Sequence, residues 1–142
     1  MSGLFRHYCV ALLVLSVSGW GSRAETLSNI LLIVSEDNGP ELGCYGDSYV
    51  RTPVLDRLAA EGVRFANAFV PQAGCSQSRA ALLTGLFPHQ NGQIGLATWK
   101  FRLYRSDTPN LVRSLKGAGY RTGIIGKLHV NPEGAFPFDF KS

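Results

Sequence analysis

Val70-Pro71-Gln72-Ala73-Gly74-Cys75-Ser76-Gln77-Ser78-Arg79-Ala80-Ala81-Leu82-Leu83-Thr84-Gly85 is the stretch on which the reading of the fold turns. An apolar strand ends near Val70, a turn of small and polar residues follows, and a compact helix starts at about Ser76 and ends at Gly85 and Pro88. Cys75 therefore stands where a strand hands over to a helix N-terminus. Unpaired backbone N–H groups and the positive end of the helix dipole meet there and favour an anion. Arg79 lies one turn further on, within reach of the same anion. A nucleophile precursor, a helix N-terminus and an arginine on one turn suit chemistry on a tetrahedral oxyanion. Spacing alone leaves an alternative open: a buried structural cysteine and an arginine in a surface ion pair.

Upstream, Asn29-Ile30-Leu31-Leu32-Ile33-Val34 is a continuous apolar run, the pattern of a strand buried on both faces of a parallel sheet. It runs into Ser35-Glu36-Asp37-Asn38-Gly39. Adjacent carboxylates at the C-terminal end of such a strand repel each other, and a hard cation, Ca²⁺ or Mg²⁺, relieves the repulsion. A solvated acidic turn is the plainer reading. Thr52-Pro53 opens a helix that closes at Gly62, with Val54, Leu55, Leu58 and Ala59 on one apolar face. Val63–Val70 reads as the second strand. Downstream, His89-Gln90-Asn91-Gly92 reads as a polar turn, and Thr108-Pro109 repeats the helix start, with Gly117 and Gly119 closing that helix. Tyr120–Gly126 reads as the third strand and ends in Lys127-Leu128-His129.

The expected fold is therefore α/β, a parallel sheet flanked by helices. Right-handed crossovers in this β-α-β-loop-α-β order bring Glu36/Asp37, Cys75/Arg79 and Lys127/His129 to one sheet edge, where open α/β sheets bind ligands.

Composition sets the bounds. A chain of 142 residues with 45% hydrophobic and 17% charged residues can bury a core. Residues 1–24 read as a secretory signal: Arg6 and His7 precede a mostly apolar run from Tyr8 to Val17, and Ser22-Arg23-Ala24 offers a cleavage site. The run is too short to span a bilayer, and a retained anchor is the alternative. Export to a periplasm, an extracellular space or a lumen is expected, with no membrane attachment after cleavage. Loss of Arg6 and Arg23 leaves 12 basic residues against 10 acidic ones, from 14 in the full chain, so the net charge falls from +4 to +2. That balance does not point to nucleic acid. Lys100, Arg102 and Arg105 are either a solvated face or a cluster for a polyanionic substrate. Of three cysteines, Cys9 lies in the leader, and a Cys44–Cys75 disulfide is open to an exported chain.

Cys75-Ser76-Gln77-Ser78-Arg79 followed by Leu82-Leu83-Thr84-Gly85 resembles the sulfatase signature, Cys-x-Pro-x-Arg then Leu-Thr-Gly, with Gln77 where the family usually has Pro or Ala. Gly119-Tyr120-Arg121-Thr122-Gly123-Ile124-Ile125-Gly126-Lys127-Leu128-His129 resembles the second sulfatase signature. Phe136-Pro137-Phe138-Asp139-Phe140, with His89–Gly92, is most similar to the sulfamidase (heparan N-sulfatase) branch. The resemblance runs from about Asn29 to Phe140. It implies an alkaline-phosphatase-like sheet, of which residues 25–142 carry the N-terminal part of the catalytic domain.

It also implies a hydrolase of sulfuric esters or sulfamates on sulfated glycans. In that family the cysteine is oxidised to formylglycine by a formylglycine-generating or sulfatase-maturing enzyme. Carried over, Cys75 is the nucleophile. Glu36, Asp37 and Cys75 hold Ca²⁺ (alternatively Mg²⁺), Glu36 standing where the family most often has Asp. Arg79 and Lys127 balance charge, Lys127 and His129 contact the sulfate and the formylglycine, and His129 assists proton transfer. The family's further metal ligands have no match here, so the chain alone is expected to be inactive, as a fragment. The rival readings are a phosphohydrolase of the same superfamily, which calls for Ser or Thr at position 75, and a non-catalytic secreted remnant.

Overall fold

The computed structural model describes residues 27–142, so the expected leader lies outside the described residues. The chain divides after Leu32 into two units, and Leu27–Leu32 is an exposed stretch without regular structure. In the unit from Ile33 onward, four α-helices form: α1 (Pro53–Glu61), α2 (Cys75–Thr84), α3 (Pro88–Asn91) and α4 (Leu111–Gly117). Short 3-10 turns occupy Gly43–Tyr45, Ala97–Trp99 and Glu133–Ala135. The sheet is one parallel pair, β1 (Gly123–Ile124) with β2 (Phe140–Lys141), in the register Gly123 to Phe140 and Ile124 to Lys141.

The helices follow the local signals. α1 starts at Pro53, as read, and Thr52 sits at its N-cap. There the Thr52 hydroxyl accepts the Gly43 N–H at 2.9 Å and donates to Asp56 Oδ1 at 2.9 Å, which ties α1 to the Gly43–Tyr45 turn. α2 begins at Cys75 with Gly74 in extended backbone before it. It ends at Gly85, whose φ of 70° is the left-handed conformation that glycine adopts without Cβ strain. Two readings are corrected. The polar turn at His89–Gly92 is mostly helix α3, its start held by Gln90 Oε1 accepting the Phe87 N–H at 3.0 Å. α4 starts after Asn110 and not at Thr108-Pro109, because the Asn110 side chain accepts the Arg113 N–H at 3.1 Å.

The larger correction concerns the sheet. Asn29–Val34 and Val63–Val70 form no β-ladder, and of Tyr120–Gly126 only Gly123–Ile124 pairs, with Phe140–Lys141. A strand needs neighbours to take up its N–H and C=O groups, and among the described residues neither apolar run has one. Their side chains stay in solvent, as does the apolar face of α1: Ile33 is 80% exposed, Phe69 89% and Leu58 64%.

The core sits in the C-terminal half. Phe136, Ala135, Val130, Leu128, Val112, Leu103 and Ala80 form one buried cluster, with Leu83, Ile124 and Phe138 packed on it. It joins α2 to α4 and to the segment after β1. The Ala135 carbonyl accepts from Asn110 Nδ2 at 3.0 Å and Arg113 Nε at 3.1 Å, which fixes α4 to that segment. On the other side, Asp139 accepts from Lys116 Nζ at 2.6 Å and from the Thr122 N–H at 2.7 Å.

These partners, Lys116 first, lower the Asp139 carboxyl from its ordinary 3.8 to about 2. A carboxylate held low in the folded state adds stability above its unfolded value and loses it as pH falls through the folded one. Asp139→Asn is therefore expected to lower the melting midpoint by roughly 3–6 °C at pH 7. The gap between variant and wild type should close between about pH 4 and pH 2. Melting curves over that range check it, and a gap that is constant with pH would contradict it.

Candidate active site

Five expected site residues meet without the expected sheet. Glu36 is the hub. Its Oε1 accepts from Lys127 Nζ and its Oε2 from Arg79 Nη2 at 3.4 Å. Arg79 donates its other arm to the Lys127 carbonyl oxygen. Arg79 reaches Glu36 because α2 points its first full turn at the segment after β1, and Ala80, next along, is buried in the core. Lys127 is placed by its neighbours: Leu128 and Val130 are both buried in the same core, so the chain between them is anchored.

Asp37 follows Glu36 with a φ of 55°, a left-handed turn that aspartate tolerates better than most residues. With this turn, one ligand atom each from Glu36, Asp37 and Cys75 lies within 4.8 Å of the others. Cys75 is half-buried and its thiol is free, as is that of Cys44, so no Cys44–Cys75 disulfide forms.

The electrostatics follow from the contacts. The Lys127 ammonium, with the Cys75 thiol next and the Arg79 charge adding, holds the Glu36 carboxyl below its ordinary value. Glu36 in turn raises Lys127. Glu36 and Lys127 are therefore both charged at neutral pH, and the two basic side chains are engaged by one carboxylate. The donor set fits a hard divalent cation in part. Two carboxylates suit Ca²⁺ or Mg²⁺, a thiol does not, and an oxygen in place of the Cys75 sulfur would make the set all-oxygen.

His129 makes no hydrogen bond with these residues. It has a φ of 50°, and both ring nitrogens are buried without a hydrogen-bond partner among the described residues. Lys100 and Arg102 lie elsewhere, beside a cavity, and Arg105 is paired with Asp107 at 2.7 Å.

Sequence reading missed the polar residues that brace the nucleophile's turn. Ser76 is fully buried, and its hydroxyl accepts the Ala97 N–H at 2.8 Å. Gln77 is buried beside it and its Nε2 donates weakly to the Ile94 carbonyl at 3.4 Å. Gln93 is also fully buried, its side chain bonded to Gly95 and Phe101. No local pattern separates such residues from solvated loop residues, because their partners, Gly95 apart, are 8 to 21 positions away.

Comparison with known proteins places the chain in a family. The sulfatase family model matches residues 28–139, and the chain belongs to the sulfatase family, within the alkaline-phosphatase-like superfamily. Among relatives, it is 46% identical over 136 residues to the N-sulphoglucosamine sulphohydrolase of Homo sapiens, covering 93% of this chain and 26% of that protein. It is 38% identical to the ulvan-active sulfatase of Formosa agariphila over 78% of this chain and 22% of the relative. It is 46% identical to arylsulfatase A of Bos taurus over 82% of this chain and 24% of the relative. The chain thus spans about a quarter of the length of these curated relatives. No helix among the described residues is long and apolar enough to cross a membrane.

Proposed function

We propose that these residues serve a sulfuric ester or sulfamate hydrolase that acts on sulfated glycans, exported by its N-terminal segment. The observation that carries this reading is the meeting of Cys75, Glu36 and Asp37 within 4.8 Å, with Arg79 and Lys127 on the same carboxylate. Conversion of Cys75 to formylglycine by a maturing enzyme would supply a hydrated aldehyde as nucleophile on sulfur. A divalent cation held by Glu36, Asp37 and the converted side chain would polarise the sulfate oxygens.

The chain's own residues do the rest. Arg79 and Lys127 balance the negative charge that gathers on the sulfate oxygens. The N-terminus of α2 adds its partial positive charge at the same point. His129, with uncommitted ring nitrogens, moves a proton to or from the nucleophile. Cysteine at position 75 disfavours a phosphohydrolase, which would use a hydroxyl there.

Ca²⁺ takes about six to eight oxygens, so Glu36, Asp37 and the side chain at position 75 hold it only weakly by themselves. The 142-residue chain by itself is therefore expected to release no sulfate. The test is a graft. Residues 28–139 replace the matching segment of the human N-sulphoglucosamine sulphohydrolase, co-expressed with a formylglycine-generating enzyme. Sulfate release is expected, with an aldehyde at position 75 detected by mass and hydrazide labelling. Cys75→Ala should cut the rate by about 10⁴-fold or more. A folded, protease-resistant graft that carries the aldehyde and releases no sulfate would overturn the reading.

A further inference from the structure

An open cavity of about 610 Å³ lies beside the loop that braces the Cys75 turn, lined among others by Ile94, Lys100, Phe101, Arg102, Tyr104 and Ser106. No acidic residue lines it. Lys100 and Arg102 make no salt bridge among the described residues, whereas Arg105 nearby is neutralised by Asp107. Two uncompensated cations thus flank a space that also offers aromatic faces. Tyr104 is 69% exposed there.

The cavity is built into the fold. Its aromatic rings lie on bare backbone: a Cβ at Gly92 would fall 2.8 Å from the Tyr104 ring, and one at Gly95 would fall 2.2 Å from the Phe101 ring. Buried Gln93 donates to the Gly95 carbonyl at 2.8 Å and the Phe101 carbonyl at 3.0 Å, and accepts the Asn131 N–H at 3.1 Å. Asn131 Nδ2 donates to the Ala97 carbonyl at 2.8 Å and the Phe101 carbonyl at 3.1 Å. This network fixes residues 93–101 in place before any ligand arrives.

Lys100 is held at a φ of 68°, left-handed backbone that a lysine adopts at a cost. The wall is continuous with the nucleophile's turn, since Ile94 and Ala97 are the residues that Gln77 and Ser76 hold.

We propose that this cavity is a subsite for a sulfated oligosaccharide, binding a part of the substrate chain away from the bond that is cut. The choice of a sulfated ligand rests on the hydrolase reading above. The chemistry matches term by term. Sugar rings lay their C–H faces on Tyr104 and Phe101, and their sulfate groups pair with Lys100 and Arg102. A formal charge of +4 over the whole chain is too small to make this a general polyanion surface, so contact geometry decides.

The test uses the 142-residue chain with Cys75→Ala, so that neither maturation nor turnover enters the readout. Calorimetric titration is made with a heparin-derived oligosaccharide and with its desulfated counterpart. The sulfated form should bind, and the desulfated form should bind at least about tenfold more weakly. Lys100→Gly with Arg102→Gln should cost about tenfold or more. Lys100→Gly also suits the left-handed backbone, so that pair should keep the wild-type melting midpoint or exceed it. Tyr104→Ala should cost about fivefold and Tyr104→Phe should restore binding.

Arg51→Gln with Arg57→Gln removes the same charge from exposed positions outside the cavity and should change affinity by less than about twofold. Absence of binding by the parent chain overturns the subsite, as does an equal loss in both double variants. The subsite and hydrolase readings fail separately. Oligosaccharide binding that maps to Lys100 and Arg102, with a graft that releases no sulfate, leaves the subsite standing. Sulfate release from the graft with no such binding leaves the hydrolase standing.

Discussion

Replacing Glu36 with glutamine is expected to change sulfate binding in opposite directions with and without calcium. In the structure Glu36 engages both Lys127 and Arg79, the two cations proposed to meet the substrate's sulfate. While that carboxylate holds them, an incoming sulfate must compete for them. A divalent cation held by Glu36 and Asp37 would draw the carboxylate away and leave the two basic groups facing the anion. Calcium and sulfate should then bind with positive coupling, each tightening the other by the same factor. In the wild-type chain, calcium is expected to raise sulfate affinity by about tenfold, given that the groups are partly exposed and screened.

Glu36→Gln removes the competing charge and a proposed metal ligand together. Sulfate should bind the variant more tightly than wild type in the absence of calcium, by about tenfold, and calcium should no longer help. Calcium affinity itself should fall by about tenfold or more, because one of two carboxylates is lost. Calorimetric titration of sulfate into both proteins, with and without calcium, reads all of these. Weaker sulfate binding by the variant in metal-free buffer would mean that Glu36 supports the anion site and does not occupy it.

The same residues indicate how much of the site could be read in advance. Cys75, Arg79, Lys127, Glu36 and Asp37 each sit in a short motif whose chemistry is local, and the structure brings them together. The sequence pattern places them on a shared sheet edge, and that edge does not form among the described residues. Contact is made instead by direct pairing, Arg79 bridging Glu36 and the Lys127 backbone across 43 and 48 positions. Long-range ionic pairing of this kind leaves no trace in residue spacing. His129 is the counter-case. Its place two residues after Lys127 is legible, but its left-handed backbone is not, and its ring nitrogens hydrogen-bond to none of the cluster's residues.

For the fold, the split runs between local and non-local forces. Caps, prolines and glycines act within one turn, so α1, α2 and the end of α4 follow them to within a residue or two. Strand pairing depends on what lies alongside, and an apolar run does not state its neighbours. The loop from Gly92 to Tyr104 was the least legible part. It is organised by buried Gln93 and Asn91, whose carbonyl accepts the Tyr104 N–H at 2.9 Å, and polar residues of this kind read as solvated.

Phe136→Ala is expected to be the most damaging single change to stability. Phe136 is fully buried, the largest side chain in the core, and it is packed with residues from α2, α4 and the Lys127 segment. Truncating a buried phenylalanine costs about 3–5 kcal/mol from lost burial and the cavity left behind. A domain of this size has only about 5–15 kcal/mol in total, and each kcal/mol moves the melting midpoint by roughly 4–8 °C. A drop of roughly 15–30 °C is therefore expected, with Phe136→Leu giving a milder loss of about 1–2 kcal/mol. The consequence extends to the site. Leu128 and Val130 anchor Lys127 by packing in this core, and Ala80 anchors α2 beside Arg79. Loosening the core should relax the contact between Arg79 and the Lys127 carbonyl, so sulfate affinity should fall even at temperatures where the variant is still folded. Melting curves and sulfate titrations on the two variants check both parts. A midpoint within a few degrees of wild type for Phe136→Ala would show that the stability of the chain lies outside this cluster, and with it the support of the site.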